Sequence, residues 1–159
     1  NRANELLGEA RGAYKPVHPN DHVNMAQSTN DVIPTAMRIA TLLDLETFYP
    51  ALDEMAAAYL DKGKEFDHIV KSGRTHMQDA VPIRLGQEFT AYGRVLGKMG
   101  TRIRRASESL LEQNIGATAA GTGLNRDPRN QQMMVKILTA LTGFTRSAAY
   151  ILGESAQNQ

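Results

Sequence analysis

The clearest pattern in the chain is a stripe of apolar residues in which steps of four and three alternate: Leu85, Phe89, Tyr92, Leu96, Met99, Ile103, Ala106 and Leu110. That is the a/d seam of a heptad, sustained over roughly three and a half repeats, and it predicts a single long helix. A helix of about 28 residues would span about 42 Å. A compact chain of this size cannot cover such a stripe, so the helix calls for partner helices from elsewhere in the protein or from other copies. A second stripe, Leu45, Tyr49, Leu52, Ala56 and Tyr59, predicts a helix that starts at Pro34-Thr35-Ala36 and runs to about Gly63. Pro50 lies inside it, where it removes one hydrogen bond and crowds the carbonyl of Glu46, so a kink or a break is expected. A third helix has Asp127 as its cap, Pro128 at its first position and Gly143 at its end, with Met134, Ile137, Leu138 and Leu141 on one face.

The remaining segments are read from their turn residues. Residues 2–10 look like the last turns of a helix that Gly12 terminates, and Tyr14 to Pro19 is extended. Residues 66–84, punctuated by Gly73 and Pro82, are expected to be loop or short extended structure. Gly116 to Asn125 is a loop of small residues, and Ala148 to Leu152 is the start of another element. No strand pattern persists beyond about four residues, so the expected class is all-α, a bundle of long helices.

Composition removes several function classes. The 159 residues carry a formal charge of +1, which gives no field for nucleic acid or an anionic membrane. There is no cysteine, so disulfides, thiolate metal sites and a cysteine nucleophile are excluded; a reducing compartment, the cytoplasm, is expected. No apolar run approaches a membrane span.

The candidate chemistry sits in three polar segments. The first, His18-Pro-Asn-Asp-His-Val-Asn-Met-Ala-Gln-Ser-Thr-Asn-Asp31, precedes a helix start, where unpaired N–H groups and the helix dipole favour an anion. Ser28, Thr29 and Asn30 can bind a carboxylate without a formal cation, although Ser, Thr, Asn and Asp are also ordinary helix caps. The second, Gly73-Arg-Thr-His-Met-Gln-Asp79, holds His76, either a group that orients substrate and moves a proton or a structural histidine in a loop. The third, Gly116 to Asn125, lacks the phosphate-loop patterns and reads locally as a tight helix connection. His18 and His22 have metal-pair spacing, but Pro19 works against a shared helical face, and no metal is expected. Arg94, Lys98, Arg102, Arg104 and Arg105 form a basic run best read as a solvated or subunit-facing surface.

Taken together, the three segments resemble the signatures of the aspartase/fumarase superfamily. His18 to Asp31 matches its His-Pro-Asn-Asp segment leading to Ser-Gln-Ser-Ser/Thr-Asn-Asp, with Ala26 where a serine is usual. Gly73 to Pro82 matches Gly-Arg-Thr-His-x-Gln-Asp-Ala-x-Pro, and Gly116 to Asn125 matches Gly-x-Thr-Ala-x-Gly-Thr-Gly-Leu-Asn. Thr29, the run Ala80 to Phe89 and Gly116-Ala-Thr-Ala lean towards the aspartase branch.

The resemblance implies anti elimination of ammonia from L-aspartate through an enediolate, giving fumarate; a class II fumarase and a non-catalytic helical assembly module are the alternatives. It implies that Ser28 and Thr29 hold the β-carboxylate, that Asn30 and His76 contact the leaving amino group, and that Thr75 helps position the substrate. His18, Asn20 and Asp21 resemble a secondary carboxylate site. No cofactor is implied, and the expected assembly is a homotetramer with active sites shared between subunits. The family's Gly-Ser-Ser-x-Met-Pro-x-Lys-x-Asn loop, which supplies the catalytic serine, does not occur in this sequence. Residues 1–159 are therefore expected to be part of the central helical domain, inactive alone.

Overall fold

In a computed structural model, which describes residues 1–145 and 147–148, the chain is mostly helical. Its elements are α1 (Arg2–Leu6), α2 (Thr29–Glu65), β1 (Val70–Thr75), β2 (Gln78–Arg84), α3 (Leu85–Ser107), β3 (Glu112–Gln113), α4 (Pro128–Thr142) and β4 (Ser147–Ala148). They fall into two compact units, Asn1–Ile39 with the chain from Leu111 onward, and Ala40–Leu110. Helix α2 begins in the first and continues into the second.

The helices differ from the sequence expectation in informative ways. Helix α2 starts at Thr29, several residues before Pro34. Pro34 therefore sits in its second turn, and the Asn30 carbonyl loses the N–H it would receive there. The buried Asn114 side chain donates to that carbonyl at 3.2 Å instead. Pro50 neither breaks nor ends α2, which stays helical through it; Pro50 is exposed, a setting in which water can satisfy the carbonyl that lacks a partner. Helix α1 is only five residues long, and the chain turns at Gly8, whose φ is +86°, before it reaches Gly12. Helix α4 keeps its expected cap, with Asp127 Oδ1 accepting from Arg129 N at 2.9 Å, Pro128 first and Gly143 last at φ +73°. The element expected from Ala148 to Leu152 lies, beyond Ala148, outside the described residues.

In the second unit, residues 66–84 are more regular than expected. Strands β1 and β2 form an antiparallel hairpin, with an irregularity between Gly73 and Arg74. Most of its side chains are exposed on both faces, so no alternation of apolar and polar residues announces it. Pro82 is tolerated because this two-stranded ladder has only edges. Helix α3 is 23 residues long and its seam ends in a 3-10 turn, Glu108–Leu111.

The face that α3 buries is not the a/d seam alone. Gly86, Gly93 and Gly100, spaced by seven, are its buried residues. A Cβ at Gly93 would stand 2.8 Å from Leu60 Cγ and 2.9 Å from the Ala56 carbonyl of α2. The glycine row thus lets two helix backbones approach closely. Beside it, Tyr59 packs on Phe89 and Tyr92 with ring centroids 5.8 and 5.9 Å apart, and Phe66 on Phe89 at 5.3 Å. Arg104, from the basic run, lies 4.4 Å over the Tyr49 ring and 2.6 Å from Asp53, so it is a packing group and not merely a solvated charge. Tyr92, Val95 and Met99 remain exposed.

Candidate functional site

The first unit builds its polar centre at the start of α2. Ser28 Oγ accepts from Asn30 N at 3.2 Å, and Asp31 Oδ1 accepts from Ser28 N at 2.9 Å. The two bonds cap the helix from both sides, although the Ser28 hydroxyl takes the N–H of Asn30 and not that of Asp31, as a strict capping box would. Capping occupies a lone pair of the Ser28 oxygen and leaves its proton able to be donated, so the capping and carboxylate-binding readings are compatible. Thr29 and Asn30 are exposed on the first turn.

Asp31 carries the arrangement further. Its residue is fully buried, and its second oxygen accepts from Gly116 N at 3.0 Å and Thr118 N at 3.1 Å. One carboxylate therefore holds the start of α2 and the Gly116–Asn125 loop together. From the next residue back, Asn30 Nδ2 donates to the Ala119 carbonyl at 2.7 Å. A carbonyl can only accept, so this contact fixes which end of the amide is NH2 and leaves Oδ1 as its acceptor. Asn114 closes the set: its Nδ2 donates to the Asn30 carbonyl, and its Oδ1 accepts from Thr35 Oγ1 at 3.3 Å. The Arg38 guanidinium donates to the Glu112 carbonyl beneath.

The loop is held in a costly conformation. Thr118 has φ +60°, a β-branched residue in the left-handed region, and its buried Oγ1 has no hydrogen-bond partner among the described residues. Each feature costs on the order of 1–3 kcal/mol. Across from it, Ala26 has φ +55°, at the position where the resembling family usually has serine. Ala26, Ser28, Thr118, Ala119, Thr122 and Asn125 line a cavity of about 390 Å³. That lies in the range of small-ligand pockets. A separate apolar groove of about 290 Å³, between Val32, Ala36 and Ile39 of α2 and Met134, Ile137 and Leu138 of α4, offers no comparable polar groups.

Thr75 and His76 belong to the second unit. They occupy the tip of the β1–β2 hairpin, where Thr75 pairs with Gln78 across His76 and Met77. Both central residues have positive φ, +50° and +61°, the pattern of a type I′ turn that usually takes Asn-Gly. Met77 is 93% exposed. Arg74 bonds Asp79 at 2.9 Å behind the turn and, with help from Ser72, holds the Asp79 carboxyl below its ordinary range. The structure thus brings Ser28 and Asn30, with Thr29 between them in the chain, to the small-residue loop, and Thr75 to His76, but in different units.

His18, Asn20 and Asp21 share one turn. His18 Nδ1 accepts from Asn20 N and Asp21 N at 3.2 Å each, capping a single-turn π-helix over Pro19–Val23, and the His18 N–H donates to His22 Nδ1 at 2.9 Å. The two histidines therefore spend these nitrogens on the backbone. Among the described residues no group of three or more His, Asp or Glu side chains could hold a metal ion. None of the described helices is long and apolar enough to cross a membrane.

Sequence reasoning stops short of three parts of this arrangement. Ser and Asp are ordinary cap residues, but nothing local to Asp31 announces the loop that it also binds. Asn114 and the Ala119 carbonyl are distant in sequence from Asn30 and have no local signature.

Comparison with known proteins bears on the same segments. The family model described as "Lyase" matches residues 1–158. The aspartate ammonia-lyase of Bacillus subtilis is 49% identical over 158 residues, which is 99% of this chain and 33% of that protein. A class II fumarate hydratase of Bradyrhizobium diazoefficiens is 47% identical, covering 98% of this chain and 36% of that protein. A solved structure of a fumarate lyase:delta crystallin from Brucella melitensis, bound to cobalt, superposes with a TM-score of 0.83 at 44% identity, over 98% of this chain and 34% of that one. The chain spans about a third of the length of the curated relatives it matches.

Proposed function

The chain belongs to the lyase family whose model it matches nearly end to end, and from that premise we propose that it serves an aspartate ammonia-lyase, which converts L-aspartate to fumarate and ammonia. The observation that carries the reading is the Asn30 amide: its Nδ2 is tied to the Ala119 carbonyl, so Oδ1 remains the amide's acceptor on the same exposed helix start that carries the Ser28 and Thr29 hydroxyls. Hydroxyl donors suit a carboxylate, and an amide oxygen suits a substrate ammonium.

The chemistry needs both. Removing the weakly acidic Cβ proton puts charge on the adjacent carboxylate as an enediolate. The amine then leaves from Cα as the carbon–carbon double bond forms. Only donors that bind the doubly charged carboxylate more tightly than the ground state accelerate this step. Ser28 and Thr29 take that role at the positive end of the α2 dipole. Asn30 and His76 receive the amino group, and Thr75 positions the substrate. His18, Asn20 and Asp21 form a secondary carboxylate site. The base comes from outside these residues, on the serine loop of the resembling family, and no cofactor takes part. The exposed seam residues Tyr92 and Met99, with Val95 beside them, support a homotetramer in which copies complete one another's sites, and the protein is assigned to the cytoplasm on its lack of cysteine.

The fumarase relative supports a second reading, in which the same site eliminates water from malate. The deciding assay follows fumarate by ultraviolet absorbance in the full-length protein, with L-aspartate and L-malate offered separately. Aspartate turnover with ammonia release is expected, and signal from malate alone would replace the ammonia-lyase by a fumarase. Asn30→Ala and His76→Ala should each lower kcat/KM by about 100-fold or more. Near-normal kinetics in both would refute the assigned roles.

A further inference from the structure

We infer that Asp31 is the positioning residue of this site: its buried carboxylate sets the Gly116–Asn125 loop against the start of α2, and that loop orients the Asn30 amide to take an amine. The inference rests on the proposed ammonia-lyase reading and adds a residue that touches no substrate.

Three observations support it. Asp31 spends both oxygens on backbone N–H groups from two distant segments, Ser28 on one side, Gly116 and Thr118 on the other. A cap needs only the first, so the bonds to the loop go beyond what helix capping requires. The loop that Asp31 holds contains a β-branched residue at positive φ and a buried hydroxyl unpaired among the described residues, both at Thr118. Such features persist only where the surroundings over-determine them, and here the Thr118 N–H is one of the bonds to Asp31. Lastly, the loop's product is a fixed acceptor direction. The Ala119 carbonyl, one residue past Thr118, takes Asn30 Nδ2. If the loop moves, the amide is free to turn, and its NH2 would then face a substrate ammonium, donor against donor. The charge of Asp31 matters because a neutral amide there has one oxygen for three N–H groups.

The test is Asp31→Asn in the full-length protein, with kinetics run well below the variant's own Tm so that a folding defect does not register as a catalytic one. The readouts are kcat/KM for L-aspartate and the inhibition constant of succinate, which has both carboxylates and no amino group. The expected result is a loss of about 10–100-fold in kcat/KM, the usual range for a buried charge-assisted hydrogen bond, with a clearly smaller loss of succinate affinity. Kinetics within twofold of wild type, whatever the Tm, would make Asp31 a structural cap and overturn the inference. Equal losses for aspartate and succinate would also overturn it, because the carboxylate donors alone would then be disturbed. Should Asp31→Asn fail to fold, Gly116→Ala displaces the same loop from its other side, since its Cβ would lie 3.2 Å from Gln131 Cβ at φ +84°. The same pair of readouts and the same outcomes apply to it. Absence of aspartate turnover in the wild-type protein would overturn the ammonia-lyase reading and this one together, whereas wild-type turnover with unaltered variants overturns this one alone.

Discussion

Gly93→Ala and Gly97→Ala form a matched pair on one helix. Both exchange a mid-helix glycine of α3 for alanine, so both gain about 1 kcal/mol of helix propensity. Their surroundings differ. A Cβ at Gly97 meets nothing within 4 Å, whereas one at Gly93 meets Leu60 Cγ at 2.8 Å, the Ala56 carbonyl at 2.9 Å and Leu60 Cδ2 at 3.0 Å. Leu60 can rotate, but the Ala56 carbonyl belongs to the α2 backbone, so the helices must separate. Overpacking of this kind costs about 1–3 kcal/mol. Gly97→Ala is therefore expected to stabilise by about 1 kcal/mol. Gly93→Ala should fall below it by the overpacking cost, about 1–3 kcal/mol, which at this size is a gap of roughly 2–12 °C in Tm. Thermal unfolding of the two purified variants beside wild type, followed by circular dichroism, reads that gap. Gly86→Ala extends the series, because its Cβ would stand 2.6 Å from Asp67 Cα and 2.7 Å from Asp67 N, backbone atoms with no rotamer to yield. It should be the least stable of the three. Equal Tm shifts for Gly93→Ala and Gly97→Ala would refute the glycine row as the contact between α2 and α3.

Asn114→Ala should destabilise by about 2–4 kcal/mol in urea unfolding, because it strands the Asn30 carbonyl and the Thr35 hydroxyl together. Adding Pro34→Ala should recover part of that loss, since it restores the N–H that the Asn30 carbonyl lacks; strict additivity in the double-mutant cycle would refute the link. Asp127, held below the ordinary carboxylate range first by the Arg129 side chain and then by the Arg129 N–H, stabilises α4 above its unfolded value, and that contribution is lost as pH falls through the folded one. Asp127→Asn should accordingly lower Tm at neutral pH, leave it little changed below the folded pKa, and so flatten the acid limb of a Tm-versus-pH profile. Arg104→Ala should cost about 1 kcal/mol through the lost Tyr49 stacking and Asp53 pair, with the stacking part insensitive to salt.

Helical class, the α4 caps and the three polar segments are legible in the sequence because each depends on neighbours a few positions apart. A heptad seam, a proline after a capping aspartate and a glycine at positive φ act through local geometry, so they can be read in one dimension. The glycine row at Gly86, Gly93 and Gly100 was equally readable as a spacing of seven, but an eye tuned to apolar stripes passes over residues without side chains. The hairpin was hidden because neither of its faces is buried enough to impose alternation on the residues. The early start of α2 was hidden because Pro34 looks like a boundary, and it ceases to be one only when Asn114, far along the chain, supplies the hydrogen bond that proline removes.

The site divides along the same line. The sequence by itself singled out the candidate side chains, Ser28, Thr29, Asn30, Thr75 and His76, because hydroxyls, amides and imidazoles are chemically distinctive wherever they stand. Only the tertiary structure decided how Asn30 is turned and what holds it so. Those answers lie in Asp31, Asn114 and a backbone carbonyl at Ala119, groups whose meaning is set by what is brought within 3 Å of them and not by which residues flank them.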